Sequence, residues 1–141
     1  RHAHRAVREA GLDERIRLHR AHLPDHGLHE QHYHAVISNS LLHHLPDPKT
    51  LWASIRTLGR PGAVVTVMDL ERPDTQQAAR DIITREASDA PAVLQEDFYN
   101  SLLAAYTVEE VHRQLESAGL DTFEIIRPSD RHWLVRGRLP D

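Results

Sequence analysis

Two short apolar runs, residues 35–38 and 63–68, constrain the fold of this chain more than any other feature. Between them lies a segment with helical periodicity, which begins at Asp47-Pro48 and is broken at Gly59. Asp accepts hydrogen bonds from the free amides at a helix start, and Pro at the first helical position loses none. Strands that are apolar on both sides are typical of parallel sheets covered by helices. The order therefore predicts a strand–helix–strand unit of an α/β fold.

The flanking segments extend this alternation. Residues 1–10 carry a helical stripe that ends at Gly11, and Ile16 and its neighbours alternate apolar with basic side chains, which predicts a short strand. Residues 74–105 are helical by pattern, with a break at Pro91. These segments add a helix and a strand before the central unit, and at least two helices after it.

The last third of the chain predicts a helix followed by two strands. Thr107 and Glu110 form a capping-box pattern, and Gly119 ends the helix. Two apolar runs, 123–126 and 133–137, follow with a short polar connection, which is typical of antiparallel neighbours. We therefore expect a Rossmann-like, mostly parallel sheet with helices on both faces and a C-terminal antiparallel hairpin.

Composition narrows the class of protein. The 141 residues predict one domain spanning 1–141, and the formal charge of −4 does not favour a nucleic-acid partner. The absence of cysteine excludes disulfides, and no apolar run is long enough to cross a membrane. We expect a cytoplasmic location. An initial Arg in place of Met indicates that the sequence begins partway through a longer product.

Twelve histidines raise the alternative of a His-rich metal-binding protein. They cluster in the predicted first helix and in the polar loop before residue 35, mixed with Arg and Glu. A structural zinc site needs three or four ligands that converge from ordered elements. We therefore expect no physiological metal and interpret these side chains as solvated surface.

Polar residues follow the first apolar run directly. Ser38, Asn39 and Ser40 lie at the carboxyl end of the predicted strand, and this is where open α/β sheets bind ligands. The alternative is a polar loop with local hydrogen bonds only. There are three further candidates: His43 and His44 lie just beyond the loop, and Asp69 ends the second apolar run.

Residues 33–69, with Leu41-Leu42-His43-His44, Asp47-Pro48 and the Pro61-Gly62 turn, resemble the middle of a class I S-adenosylmethionine-dependent methyltransferase. The resemblance implies a sheet with the strand order 3-2-1-4-5-7-6, in which the strands at Ile16, Val36 and Val65 are the third, fourth and fifth. The C-terminal hairpin then supplies the last two strands. The resemblance also implies a missing first strand–helix–strand unit, since no glycine-rich loop or following acidic residue precedes the third strand. The Val36 strand then becomes a sheet edge, which a missing segment, a homodimer or a second chain would cover.

The family resemblance also implies roles for particular residues. S-adenosylmethionine is the implied cofactor, and its expected contacts are His22, Ser38, Asn39 and Ser40. His22 and His34 stand where the family usually has acidic residues, so the cofactor site departs from the common pattern. The expected catalytic residues are His43, His44 and Asp69. Residues 74–106 correspond to a helical lid or insertion, in which Tyr99 and Tyr106 are the expected substrate contacts.

These features predict methyl transfer from S-adenosylmethionine to a small molecule whose identity the sequence does not reveal. The alternative is a catalytically silent relative that serves as a partner-binding or regulatory subunit. The sequence contains no nucleophile elbow, no Walker loop and no His-Glu-x-x-His helix, so hydrolase, nucleotidase and zinc-protease functions are not supported.

Overall fold

The computed structural model describes residues 2–141. Within this range, helices and strands alternate in the order α1 (His2–Glu9), β1 (Tyr33–Asn39), a short 3-10 helix (Leu42–His44), α2 (Lys49–Leu58), β2 (Gly59–Leu70), α3 (Gln76–Glu86), α4 (Ala92–Ala104), α5 (Val108–Ser117), β3 (Glu124–Ser129) and β4 (His132–Arg138). From residue 33 onward, the predicted order of a strand, a helix, a strand, several helices and two final strands is confirmed. Arg1, the first residue of the predicted helix 1–10, lies outside the described residues.

The strands form one sheet in the order β1-β2-β4-β3. β1 is parallel to β2, whereas β4 is antiparallel to both β2 and β3. Consequently β1, β2 and β3 point the same way and β4 alone is reversed. The predicted α/β fold with a C-terminal antiparallel hairpin is confirmed, and the sheet is mixed, since one of its three strand pairs is parallel and two are antiparallel. Near Gly62, whose φ is +72°, β2 bulges away from β1 before regular pairing begins at Ala35 and Val64.

The main core lies on one face of β2. Alternate side chains of a strand point to opposite faces, and on this face Val65 and Val67 are fully buried. Helices α2 and α5 cover them with one apolar stripe each, because residues three and four apart share a helix face. These helix residues are Leu51, Trp52, Ile55, Val111 and Leu115.

A second, smaller core lies at the carboxyl end of the opposite face. Leu70 packs there against side chains of α3 and α4, namely Ala79, Ile82, Ile83 and Leu102. Helices therefore contact both faces, as predicted. The rest of this face is open: the Val64 side chain is 40% exposed and Ile37 is 76% exposed.

Two expectations for the first third of the chain are wrong. No strand forms at Ile16, which is 41% exposed in a stretch without regular structure that extends to residue 32. A strand needs a hydrogen-bonded neighbour, and no strand of the described residues lies beside this segment. The second error concerns burial of β1, since none of its residues is buried. The cause is its position at the edge of the sheet, where one side of its backbone has no neighbouring strand within residues 2–141.

The terminal caps form as the sequence predicts. Helix α1 is present and is followed by Gly11 with a φ of +66°, but none of its side chains is buried. At α5 the Thr107 side chain accepts the Glu110 backbone N–H, and the Glu110 carboxylate accepts the Thr107 backbone N–H at 2.9 Å. The same carboxylate accepts a 2.6 Å hydrogen bond from Arg72. Glu110 therefore joins the start of α5 to the end of β2.

We predict that the exposed edge of β1 drives self-association and that Ile37→Lys reduces it. A lysine on an edge strand opposes pairing with a second strand because its charge would be buried there. Light scattering over a concentration series measures the effect. Val93→Lys is the matched control, because Val93 is 63% exposed but lies on helix α4. A wild-type chain that stays monomeric, or equal association of the two variants, would contradict this prediction.

A second prediction concerns acid stability. Burial opposes ionisation of Glu110, but the Thr107 backbone N–H and the Arg72 guanidinium outweigh it and hold the pKa of Glu110 below its ordinary value. A lowered folded-state pKa stabilises the fold above the unfolded-state value, and this contribution is lost as the pH falls through the folded-state pKa. Glu110→Gln should cost about 1–2 kcal/mol near neutral pH, and its free energy of unfolding should fall less steeply in acid.

Urea denaturation between about pH 6 and pH 3 tests this prediction, because that range spans ordinary glutamate titration. Glu116→Gln serves as the control, since Glu116 is exposed on the same helix. An unchanged acid slope in Glu110→Gln would show that this carboxylate does not stabilise the fold.

Candidate functional site

The carboxyl end of β1 presents a short polar loop. The Ser38 hydroxyl is buried and has no hydrogen-bond partner within residues 2–141, whereas Asn39 and Ser40 are exposed. Ser40 has a φ of +52°, which a residue with a side chain rarely adopts, and its N–H donates to the Met68 carbonyl at 2.9 Å. The chain therefore turns sharply here, and it leaves one buried hydroxyl able to bond to a further group.

Asp69, next to the end of β2, holds the segment that follows this loop. Its side chain is 1% exposed, and Oδ1 lies 2.5 Å from the Nδ1 atom of His43, whose side chain is 4% exposed. The same carboxylate accepts the backbone N–H groups of Leu70 at 2.7 Å and His43 at 3.2 Å. A buried carboxylate needs such donors, because an unpaired one would lose its hydration without compensation. When Nδ1 of His43 carries the proton, Nε2 keeps its lone pair.

His44 stands beside this pair. Its ring centroid is 3.9 Å from that of His43, and the residue is exposed. The structure thus brings the three predicted catalytic residues together at the carboxyl ends of β1 and β2, with His44 the one that faces solvent. Asp69 and His43 are nearly inaccessible from outside, and their hydrogen bonds join the loop after β1 to the end of β2.

The two predicted substrate-contacting tyrosines do not meet in one pocket. Tyr99 lines a cavity between α3 and α4, where the Arg80 guanidinium carbon lies 4.9 Å from its ring centroid. Tyr106 instead lines a pocket between α2 and α5. Burial, reinforced by the charges of Glu110 and Asp47, raises the pKa of the Tyr106 hydroxyl. That hydroxyl is therefore a proton donor at neutral pH.

His22 lies in the irregular segment before β1 and is exposed. Part of this segment packs along the middle of α2, where it forms a cavity with Ala53, Ser54 and Thr57. The predicted contact of His22 with the cofactor stays a prediction.

Residues 2–141 contain no group of three or more His, Asp or Glu side chains that could hold a metal ion. None of the helices in this range is long and apolar enough to cross a membrane.

The sequence analysis missed the pocket between α2 and α5. It has a volume of about 500 Å³, and Trp52, Arg113 and Gln114 are among its lining residues. Their helical spacing in the sequence gave only a weak signal of a pocket. Whether a helix residue lines a pocket depends on which helix packs opposite it, and the local sequence pattern does not specify that helix.

The chain is similar to known proteins in part of its sequence and in its fold. Residues 1–67 match the family model described as "Methyltransferase domain". No curated protein matches the chain in sequence.

Solved structures match the chain over nearly its whole length. A SAM-dependent methyltransferase from Aquifex aeolicus is 15% identical, with a TM-score of 0.63 over 97% of this chain and 61% of that one. An O-methyltransferase family protein from Burkholderia thailandensis is 17% identical, with a TM-score of 0.65 over 99% of this chain and 40% of that one. The 4+2 cyclase SpnF is 15% identical, with a TM-score of 0.64 over 98% of this chain and 61% of that one. The chain thus spans less than two thirds of each of these proteins.

The strand order 4-5-7-6 expected for the later part of a class I methyltransferase sheet is the order β1-β2-β4-β3 found here. The match over residues 1–67 and the shared fold agree with the motifs from Tyr33 to Asp69. The resemblance predicted from the sequence is therefore confirmed: residues 1–67 match a methyltransferase domain, and the chain has the fold of S-adenosylmethionine-dependent methyltransferases.

Proposed function

We propose that this chain forms part of an enzyme that transfers a methyl group from S-adenosylmethionine to a small molecule. The observation that carries the proposal is the polar carboxyl edge of β1 and β2, where Asp69 fixes the loop that contains His43 and His44. In open α/β sheets, ligands bind beside the carboxyl ends of the strands. The family match makes S-adenosylmethionine the ligand expected there.

The residues at this edge fit such a cofactor. Ser38 has a buried hydroxyl without a partner in the described residues, and a bound ligand would satisfy it. Asn39 and Ser40 are exposed beside it and offer amide and hydroxyl groups. We assign these three residues to cofactor binding. When bound, S-adenosylmethionine supplies an electrophilic methyl group.

The remaining task of the protein is to orient the acceptor and to accept its proton. Proximity and alignment supply much of the rate in displacement reactions of this kind. We assign the proton-accepting role to His44, because its imidazole is exposed and lies against the fixed ring of His43. Asp69 and His43 act as positioning residues. A small acceptor is favoured over nucleic acid because the chain carries a formal charge of −4.

Binding of S-adenosylhomocysteine, measured by titration calorimetry, tests the proposed cofactor site. Circular dichroism first establishes that the chain is folded. We expect saturable binding with one site per chain, and at least about tenfold weaker binding after Asn39→Trp, because the indole would fill the space beside Ser38. Asn100→Trp is the control, since Asn100 is exposed on helix α4.

Either of two results would contradict the assignment. Absence of binding by the folded chain would remove the cofactor site from this chain, and unchanged affinity in Asn39→Trp would remove it from the end of β1. Because the fold neighbours include a protein described as a 4+2 cyclase, binding is followed by a search for methylated product with labelled S-adenosylmethionine.

Asp69→Ala tests whether the buried carboxylate fixes the loop. The change leaves the His43 ring and two backbone N–H groups without their acceptor, so the free energy of unfolding should fall by about 3 kcal/mol. Chemical denaturation measures the loss. Asp74→Ala, at an exposed position shortly after β2, should change stability by less than about 0.5 kcal/mol. Equal stability of the two variants would contradict the positioning role.

A further inference from the structure

Helices α2 and α5 enclose a pocket on the side away from the sheet. Its walls repeat one helix face on each side, with residues spaced by three and four positions. Helix α2 contributes Lys49, Trp52, Ala53 and Arg56, and helix α5 contributes Glu110, Arg113, Gln114 and Ser117. The volume of about 500 Å³ lies within the range of small-molecule sites.

Two hydrogen bonds between the helices close this space. The Trp52 indole N–H donates to the Gln114 side-chain oxygen at 2.9 Å and forms the floor. The Arg56 guanidinium donates to the Ala118 carbonyl at the end of α5 and closes one end. Each helix has ten residues and is therefore about 15 Å long. A short pocket with a closed end suits a compact molecule better than a partner helix, which would need an open groove.

The charges around the pocket favour an anion. Within residues 2–141, neither Lys49 nor Arg113 forms a salt bridge. Glu110 lies near Arg113, but its two carboxylate oxygens already accept hydrogen bonds from Arg72 and from the Thr107 backbone N–H. Tyr106 lines the same pocket. Two cations without a salt bridge in the described residues thus line one pocket on a chain whose formal charge is −4.

We propose that the α2–α5 pocket binds a small amphiphilic anion. Its apolar body, aromatic or aliphatic, would contact Trp52, Ala53 and Ala118. Its carboxylate, sulfonate or phosphate group would face Lys49 and Arg113, where charge-assisted hydrogen bonds are strong. This site is separate from the carboxyl edge of β1, since none of the residues 38–44 and 69 lines it. The proposal therefore stands whether or not the cofactor site is confirmed.

The probe for this test is 8-anilinonaphthalene-1-sulfonate, an aromatic sulfonate, and its uncharged counterpart is N-phenyl-1-naphthylamine. Fluorescence titration of the folded chain should give saturable binding of the sulfonate, about tenfold tighter than that of the neutral compound. In the double variant Lys49→Gln, Arg113→Gln this preference should disappear. Arg5→Gln, Arg8→Gln on helix α1 removes the same charge from a distant exposed surface and should leave it unchanged.

The location is tested by the Trp52 indole N–H resonance in NMR spectra, which Trp52→Phe assigns. The sulfonate should shift this resonance in the wild-type chain and not in Ala53→Phe, whose ring would fill the pocket. Sulfonate binding that leaves the Trp52 resonance in place would overturn the proposal, because the probe would then occupy another surface such as the open face of the sheet. Self-association that shifts the same resonance in the absence of probe would also overturn it, in favour of a second copy as the occupant.

Discussion

The pairing of β2 with β1 on one side and β4 on the other is the constraint on which the rest of the structure depends. Successive residues of this strand send their side chains to opposite faces of the sheet. Val65 and Val67 contact the core under α2 and α5, and Leu70 contacts the core under α3 and α4. A one-residue shift in pairing would exchange the two faces and expose both cores. The same strand therefore determines where every helix after it can pack.

β2 also carries the fold into the candidate site. Beyond the valines, the next inward-facing position is Asp69, and the same alternation that buries apolar side chains buries this carboxylate. Its partners come from the loop after β1, so a polar interaction replaces apolar packing where the sheet reaches its ligand-binding edge. Burial makes the pair costly to break, because either partner left alone would be a buried polar group without compensation.

Ion pairs hold the helical insertion at its base. Arg72 precedes α3 and donates hydrogen bonds to the Ala105 carbonyl, at the far end of the insertion, and to Glu110 in α5. Arg131 in the β3–β4 turn pairs with Glu86 at the end of α3, at 2.9 Å. Exposed pairs contribute little singly, but these contacts join elements distant in sequence. The start and end of the insertion are therefore fixed to β2, and α3 to the hairpin.

Local signals in the sequence predicted much of the fold. The caps at Asp47 and Thr107 and the glycines at 11 and 119 act on neighbouring residues only, so the pattern alone located the helix ends. The apolar run at 63–68 had enough β-forming residues to be recognised without its neighbours. Ile16 shows the limit of this approach, because an alternating pattern becomes a strand only when another strand is there to pair with it.

The sequence by itself thus determined the helices, the central strand and the candidate residues at its end. Only the tertiary structure decided that Asp69 bonds to His43, that Tyr99 and Tyr106 lie in different pockets, and that Trp52 and Gln114 close a pocket between two helices. The physical reason is distance along the chain. Caps and periodicity arise from residues within one turn or strand, whereas these contacts join residues 26 and 62 positions apart and depend on how the sheet is ordered.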